Sequence, residues 1–339
     1  MITYISKDRA QYKANLHCHS TLSDGKLTPE ELKKAYKDHG YSILAITDHE
    51  RPHDHSSMSD PDFLMLTGYE AYIRPDKNAK YDAYAPEVHI NLFARDPHNI
   101  SYINFNRPYC KYIKDEAEIE ALEKVGSYEV REYTAEYINR FVAAAIENGY
   151  LCAHNHAVWS LETHEQIAAY RGFFSMEMCN WSAHLDGRFE YNAALYERLL
   201  REGKRIFVHS ADDNHNGAPL DSQYSDSFGG FAMIMADELT YPSVIEALEK
   251  GNFYSSMGPV IRELTFDGSH VHIETDPVQQ ITMHLGGKKR PCVIGTADSP
   301  VTSADFDIPA EAPFVRLSAY DFSGRFADTR GFFRDELGI

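Results

Sequence analysis

Asn15-Leu16-His17-Cys18-His19 stands where a predicted strand ends, and its two histidines alternate along extended backbone. Side chains two residues apart on a strand point to the same face, so we expect both imidazoles on one side. A second apolar run, Tyr41 to Ile46, ends similarly at Thr47-Asp48-His49. Imidazole and carboxylate groups are ligands of borderline and hard divalent metals, and barrel enzymes gather such groups where strand ends converge. We therefore predict a metal site, with Asp24 of the turn Ser23-Asp24-Gly25 folding back toward it.

Acids and histidines recur at the ends of later predicted strands of the same region. Taken singly, each has an ordinary reading as a turn residue or a hydrogen-bonded side chain. Taken together they favour one site, because buried acids need partners and strand ends converge in space. The set comprises Glu70, His89, His154, Glu177, Asn180, Asp212, Asp213 and His215.

The region from about residue 12 to 258 alternates strand and helix patterns, which predicts an α/β architecture with parallel pairing. Thr28-Pro29-Glu30-Glu31 carries the signature of a helix start, a capping threonine with glutamate three residues later. The number of units favours a closed barrel over an open sheet. After Pro259 short alternating runs are separated by Gly, Pro and Asp, which predicts a small antiparallel β domain. The predicted domains are 1–258 and 259–339.

Charge and composition exclude several classes of protein. The formal net charge of -18 disfavours nucleic-acid binding, which needs clustered Lys and Arg, although a small phosphorylated substrate stays compatible with local cations. No apolar stretch is long enough to span a bilayer, and residues 1–9 lack the long apolar segment of a secretory signal, so we expect neither a membrane span nor such a signal. The five cysteines are scattered, which argues against a disulfide framework and predicts a cytoplasmic protein. The oligomeric state is not predicted.

A long insertion at Asp96–Tyr128 interrupts the alternation and contains Tyr102, Phe105, Tyr109 and Tyr112. Long loops at the mouth of a barrel often select substrates. The alternative is a surface excursion with its own small aromatic cluster, and the sequence favours neither.

The ordered motifs of the chain resemble those of the PHP (polymerase and histidinol phosphatase) family of metal-dependent phosphoesterases. The resemblance covers about residues 12 to 258, and the C-terminal part is similar to the β module of two-domain members. It implies a distorted (β/α)7 TIM-like barrel followed by a small antiparallel β domain. The motifs are His17-x-His19, Ser23-Asp24-Gly25, Thr47-Asp48-His49, Gly68-x-Glu70, His89, His154 and Asp213-x-His215.

The resemblance also implies two to three divalent metals, usually Mn, Fe or Zn, and a role for each motif residue. The first metal would be held by His17, His19, Glu70 and Asp213, and Glu70 would bridge to a second. The second would be completed by His89 and His154, with the neighbouring His156 as the alternative. The third would be held by Asp24, His49 and His215. Asp48 would orient an imidazole, and Glu177 and Asn180 would lie around the ligands.

These roles predict hydrolysis of a phosphate ester of a small metabolite by a hydroxide that bridges two metals at Glu70. Asp212, His156 and His209 are candidate proton donors by their position in the sequence. One alternative is hydrolysis of a non-phosphate ester, amide or carbamate at the same site. Another is a metal-binding module without catalysis, which loss of ligands would favour; all the motif ligands are present.

Overall fold

The computed structural model describes residues 1–75, 84–126 and 130–339, so the last two residues of the predicted insertion, Ser127 and Tyr128, lie outside the described residues. The strands of the first two thirds of the chain are β1 (Ile2–Ile5), β2 (Tyr12–Asn15), β3 (Ile43–Ile46), β4 (Leu64–Ile73), β5 (Val88–Ala94), β6 (Tyr102–Ile103), β7 (Lys124–Val125), β8 (Tyr150–His154), β9 (Ser175–Asn180), β10 (Phe207–Ala211) and β11 (Phe231–Ile234). The later strands are β12 (Phe253–Ser256), β13 (Ile261–Asp267), β14 (His270–Val278), β15 (Gln280–His284), β16 (Cys292–Ile294), β17 (Val301–Asp307), β18 (Phe314–Tyr320), β19 (Phe326–Asp328) and β20 (Phe332–Phe333).

The described residues also form α-helices. They are α1 (Pro29–Asp38), α2 (Glu116–Ala121), α3 (Ala135–Glu147), α4 (His164–Ala169), α5 (Trp181–Ala183), α6 (Ala193–Arg201), α7 (Tyr241–Lys250) and α8 (Arg334–Leu337). In the described part of the chain, none is long and apolar enough to cross a membrane.

The start of α1 shows how local sequence sets an element. The Thr28 hydroxyl accepts a hydrogen bond from the Glu31 amide at 3.3 Å, and the Glu31 carboxylate accepts one from the Thr28 amide at 2.8 Å. Such a cap contributes about 1 kcal/mol. Leu32, Ala35 and Tyr36 form the buried face, so the predicted helix start is confirmed.

The large sheet has the strand order β10-β9-β8-β5-β4-β3-β2-β11-β12-β19-β18-β15-β16, with β20 paired to β18. The pairs β2/β3, β3/β4, β8/β9 and β9/β10 are parallel, as predicted. Strand β5 is antiparallel to both β4 and β8, and β11 is antiparallel to β2, so the fold is mixed rather than purely parallel. Antiparallel neighbours need no crossover helix, and none lies between β4 and β5 in the residues described.

Strand pairing does not establish the predicted closed barrel. Strands β10 and β2 approach each other only beyond their ends, where the Asp213 amide donates to His17 O at 2.9 Å and the His19 amide donates to Asn214 O at 3.1 Å. No ladder joins these two strands within the described residues. The curved sheet nevertheless brings the segments after β2 and β10 into direct contact.

The C-terminal strands form antiparallel sheets, as the sequence predicts, and strand pairing joins them to the α/β region. Strand β12 pairs with β19, which carries the large sheet directly into the C-terminal part. A separate four-stranded sheet has the order β1-β13-β14-β17. The first strand of the chain, β1, therefore lies with the C-terminal strands rather than with the α/β region.

Candidate metal centre

The predicted metal ligands, apart from His154, converge at one end of the large sheet. His17 and His19 follow β2, His49 follows β3, and Asp213 follows β10. Glu70 lies within a strand, rather than after a strand end as predicted, because β4 (Leu64–Ile73) extends past it. Every residue of β4 is buried. His89 lies near the start of β5, and the reversed direction of that strand brings its first residues to the same end.

The first cluster consists of His17, His19, Glu70 and Asp213. Nε2 of His17 lies 3.2 Å from Nε2 of His19, 3.2 Å from Glu70 Oε1 and 3.1 Å from Asp213 Oδ1. Nε2 of His19 lies 3.0 Å from the same Asp213 oxygen. Ligands held about 2.1 Å from one ion lie about 3.0 to 3.4 Å from one another. The donor set and its spacing therefore fit a divalent metal.

The second cluster is arranged around Glu70 and contains His49, His89 and His156. Glu70 Oε1 lies 3.0 Å from Nδ1 of His89 and 3.4 Å from Nε2 of His156. Glu70 Oε2 lies 2.7 Å from Nδ1 of His49, yet the two atoms are not aligned for a hydrogen bond and neither has another partner among the described residues. Buried polar atoms that face each other without bonding are what an ion between them would satisfy.

The third cluster consists of Asp24, His49 and His215 with His19 at its edge. Nε2 of His215 lies 3.5 Å from Asp24 Oδ1, and Nε2 of His49 lies 3.7 Å from Asp24 Oδ2. The imidazoles of His19 and His215 stack with their centroids 4.3 Å apart. These four residues also offer nitrogen and oxygen donors within reach of one ion.

Glu177 and Asn180 form hydrogen bonds with residues of the clusters. Glu177 Oε1 accepts a hydrogen bond from Nδ1 of His17 at 2.8 Å, which leaves Nε2 of that ring to face the first cluster. Glu177 Oε2 accepts from the His156 amide at 2.7 Å and from Nδ2 of Asn180 at 2.9 Å. The same Asn180 nitrogen lies 3.1 Å from Asp213 Oδ2. One buried carboxylate thus fixes ligands from both the first and second clusters.

Among the described residues, the Asp48 carboxylate hydrogen-bonds to serines rather than to the imidazole that the prediction expects. Its carboxylate accepts hydrogen bonds from the Ser20 amide at 2.8 Å, the Ser20 hydroxyl at 2.6 Å and the Ser23 hydroxyl at 2.5 Å. Asp48 therefore holds the turn that carries Asp24, and acts on the third cluster through the backbone.

The predicted ligand His154 lies outside the clusters, whereas the alternative, His156, lies with His17 and Glu70. Nε2 of His154 lies 2.6 Å from Glu162 Oε2, and its ring packs beside Tyr170 and Phe173 on the outside of β8. Strand β8 ends at His154, and the chain then turns so that His156 points inward with its Nδ1 3.1 Å from the Ser160 hydroxyl. The two histidines thus have different roles, one beside the sheet and one in the second cluster.

The adjacent carboxylates of Asp212 and Asp213 point in different directions, because Asp213 adopts a left-handed backbone conformation with φ of 53°. Asp212 accepts hydrogen bonds from the Tyr36 hydroxyl and from the amides of Phe228, Gly229 and Gly230. Burial raises its pKa to about 7 against these donors. Both oxygens of Asp212 thus accept hydrogen bonds from other parts of the fold, and Asp212 belongs to none of the three clusters.

His209, another predicted proton donor, also lies outside the clusters. Its Nδ1 lies 3.1 Å from the Ser175 hydroxyl, and burial lowers its pKa to about 4. Of the predicted donors, only His156 reaches the centre, where it stands among the metal-ligating groups.

Charge in the centre is balanced between acids and imidazoles. Burial disfavours the ionised form of Glu70, but His89, His17 and His49 outweigh burial and hold its pKa well below the ordinary value. Burial likewise opposes ionisation of Asp213, and His17 and His19 lower its pKa well below its usual range. Both carboxylates are therefore charged at neutral pH, as metal ligands must be.

The exchange of His154 for His156 can be tested by metal content. We expect His156→Ala to lower the bound divalent metal, because it removes a nitrogen facing Glu70. We expect His154→Ala to keep the metal and to lose stability by about 1 to 3 kcal/mol, since it leaves a buried polar partner less satisfied. Elemental analysis and urea unfolding of both variants distinguish these results, and equal metal loss in the two would contradict the assignment.

Cationic side chains near the clusters were not indicated by any motif. A cavity of about 140 Å³ is lined by Arg74 and Lys111 together with Asp24, His49 and His89. Lys111 and its neighbour Tyr112 come from the predicted insertion, so part of that segment reaches the centre rather than forming only a surface excursion. A second cavity, of about 410 Å³, is also lined by Asp24, His49 and His89.

A sequence model of the PHP domain matches residues 15–209. The chain belongs to the PHP domain family. The matched residues contain the ligands from His17 to His156, while Asp213 and His215 lie just beyond them. No curated protein matches this PHP protein.

The matching solved structures include proteins from Bacteroides vulgatus, Bifidobacterium adolescentis and Chromobacterium violaceum. A two-domain protein from Bacteroides vulgatus, containing a predicted PHP-like metal-dependent phosphoesterase, is 14% identical with a TM-score of 0.46, covering 97% of this chain and 88% of its own. A candidate metal-dependent phosphoesterase from Bifidobacterium adolescentis is 18% identical with a TM-score of 0.38, covering 62% of this chain and 91% of its own. An amidohydrolase from Chromobacterium violaceum, with bound sulfate and no metal, is 17% identical with a TM-score of 0.37. The match covers 60% of this chain and 87% of the amidohydrolase. Family membership rests on the sequence match.

Proposed function

We propose that this PHP protein is a metal-dependent hydrolase of phosphate esters of small metabolites. The observation that carries the proposal is the presence of Arg74 and Lys111 in the cavity that the ligands Asp24, His49 and His89 also line. A phosphate group carries negative charge on several oxygens, and a guanidinium with an ammonium group binds such oxygens well. A neutral ester or amide would gain much less from these two cations, so they favour a phosphate over the alternative substrates.

The three clusters are the proposed sites of up to three divalent ions, with Mn, Fe or Zn as candidates from the ligand types. When bound, such ions activate water for attack and neutralise charge on a phosphate ester. Glu70 contacts imidazoles of the first and second clusters through its two oxygens, so it is the proposed bridging ligand. His156 is proposed as a ligand, which leaves the proton donor to the leaving group unassigned.

The protein's own groups prepare the centre before substrate binds. Glu177 accepts a hydrogen bond from His17 Nδ1 and holds the ring in one orientation. Trp159 packs edge-on to His89 and His156, with centroids 5.2 and 4.8 Å away, and limits the access of water on that side. The larger cavity, which Trp159, Ser182 and Asp186 also line, has room for the alcohol part of the ester. Arg74 and Lys111 would orient the phosphate from the smaller cavity, which they line together with Asp24, His49 and His89.

The proposal is tested by replacing the two cations. We expect Arg74→Gln and Lys111→Gln each to raise KM for an aryl phosphate by about 10-fold or more, because each removes a charged hydrogen bond of about 1.5 to 3 kcal/mol. Metal content should not change in either variant, since neither side chain is a ligand. Steady-state kinetics with Mn-loaded protein and elemental analysis provide both measurements.

Lys34→Gln is a matched control, because Lys34 is an exposed lysine on α1 that pairs with Asp38 away from the centre. Its KM should equal that of the wild type. Metal-loaded protein that hydrolyses aryl acetates but not aryl phosphates would replace the proposal by a non-phosphate hydrolase. Metal-loaded protein inactive on both would favour a binding module.

A further inference from the structure

The third cluster differs from the first in exposure and charge. The side chains of Asp24 and His215 are 37% and 34% exposed, whereas those of His17 and Glu70 are fully buried. The third cluster contains one carboxylate, that of Asp24, whereas two carboxylates, those of Glu70 and Asp213, face His17 in the first cluster. Fewer charged ligands and greater access of water both weaken the binding of a divalent ion. The affinity of the third cluster for an ion therefore depends more than that of the first on how its carboxylate is held.

Tyr112 holds that carboxylate. Its hydroxyl donates a hydrogen bond to Asp24 Oδ2 at 3.0 Å, while Asp24 Oδ1 faces Nε2 of His215. The tyrosine ring also lies nearly parallel to the imidazole of His49, with centroids 6.2 Å apart and an interplanar angle of 21°. One side chain from outside the motifs thus touches two of the four residues of the cluster.

The position of Tyr112 is set by the insertion rather than by the cluster. Nη1 of Arg51 donates to Tyr112 O at 3.0 Å, and Nη2 of Arg51 lies 2.9 Å from Glu118 Oε1. The neighbouring residues Cys110 and Ile113 are buried in a small core of the insertion with Tyr102 and Ile119. Because Arg51 follows His49 by two residues, the same contact ties the insertion to the loop that carries a ligand.

We infer that Tyr112 is a positioning residue through which the insertion sets the affinity of the third cluster for a divalent ion. The inference rests on the proposed metal binding of this PHP protein, and adds a dependence on a segment outside the metal-binding motifs. Partners that orient metal ligands typically contribute about 10- to 100-fold in affinity. The hydrogen bond fixes one carboxylate oxygen and leaves the other turned toward His215.

The test is a Mn²⁺ titration of the full chain, followed by equilibrium dialysis and elemental analysis at each free concentration. We expect Tyr112→Phe to raise the Kd of the weakest-bound ion by about 10- to 100-fold and to leave the tighter ions unchanged, since the ring still packs on His49. Tyr109→Phe is the matched control, because Tyr109 belongs to the same insertion but packs on Tyr72, 5.0 Å away, rather than on the cluster. Its binding curve should match that of the wild type.

The variant Asp24→Asn tests whether the weakest-bound ion is the one held by the third cluster. We expect this variant to lose that ion, and Tyr112→Phe to have no further effect in its background, because the two residues act through one contact. If Tyr112→Phe binds all ions as the wild type does, the inference is wrong while the proposed function stands. If the wild-type protein binds no Mn²⁺ at all, the proposed function and the inference both fail.

Discussion

Glu70→Gln is expected to abolish hydrolysis and to lower the metal content of the protein. Glu70 is fully buried, and its two oxygens face imidazoles of different clusters. The amide keeps the shape of the side chain but loses the charge and replaces one acceptor oxygen by a donor. We expect activity to fall by about 1,000-fold or more, beyond the roughly 10- to 100-fold that loss of a partner outside the ligand set causes. Hydrolysis of an aryl phosphate and elemental analysis of the same samples measure both effects.

Glu190→Gln separates this effect from the general cost of neutralising a buried carboxylate. Glu190 is fully buried and accepts hydrogen bonds from the amides of Val158 and Trp159, without belonging to a metal cluster. It should lose stability but retain metal. If Glu70→Gln retained both metal and full activity, the bridging role of Glu70 would be wrong.

The sequence predicts ligand types well where the local pattern fixes the direction of a side chain. His17, His19 and His49 follow short buried strands, and Asp213 follows β10, so their convergence follows from strand ends meeting at one edge. The strand direction of β5 was not predictable in the same way, because an apolar run reads alike in either direction. The choice between parallel and antiparallel pairing depends on the connection to β4, which has no helical pattern.

Choices between neighbouring residues needed the three-dimensional structure. His154 and His156 are two residues apart, so the rule for extended strands would place both on one face. The strand ends at His154, however, and the turn that follows sends only His156 toward Glu70. Asp212 and Asp213 are separated by the left-handed conformation of Asp213, which a sequence pattern does not reveal in a residue other than glycine. Lys111 and Tyr112 reach the centre through long-range packing of the insertion, and Arg74, which directly follows β4, belongs to no motif.

Arg131→Met is expected to destabilise the protein by about 3 to 5 kcal/mol, because it leaves a buried charge without its partner. The side chains of Arg131 and Glu50 are both fully buried and form a two-pronged ion pair. Glu50 directly follows the ligand His49 and also accepts hydrogen bonds from the Tyr72 amide and the Tyr102 hydroxyl. Arg131 in turn donates to Tyr72 O at 2.8 Å and lies over the ring of Tyr109 at 4.4 Å. Urea unfolding of the wild type and variant measures the difference.

The double variant Glu50→Gln/Arg131→Met distinguishes the unpaired charge from lost packing. If the uncompensated carboxylate of Glu50 causes most of the loss, neutralising it should recover a large part of the stability. If the loss comes from the contacts of the guanidinium with aromatic rings, the double variant should be no more stable than Arg131→Met. Because Glu50 adjoins His49 and contacts Tyr102 of the insertion, Arg131→Met should also weaken metal binding at the second and third clusters. A stable Arg131→Met variant with normal metal content would show that the pair supports neither the fold nor the centre.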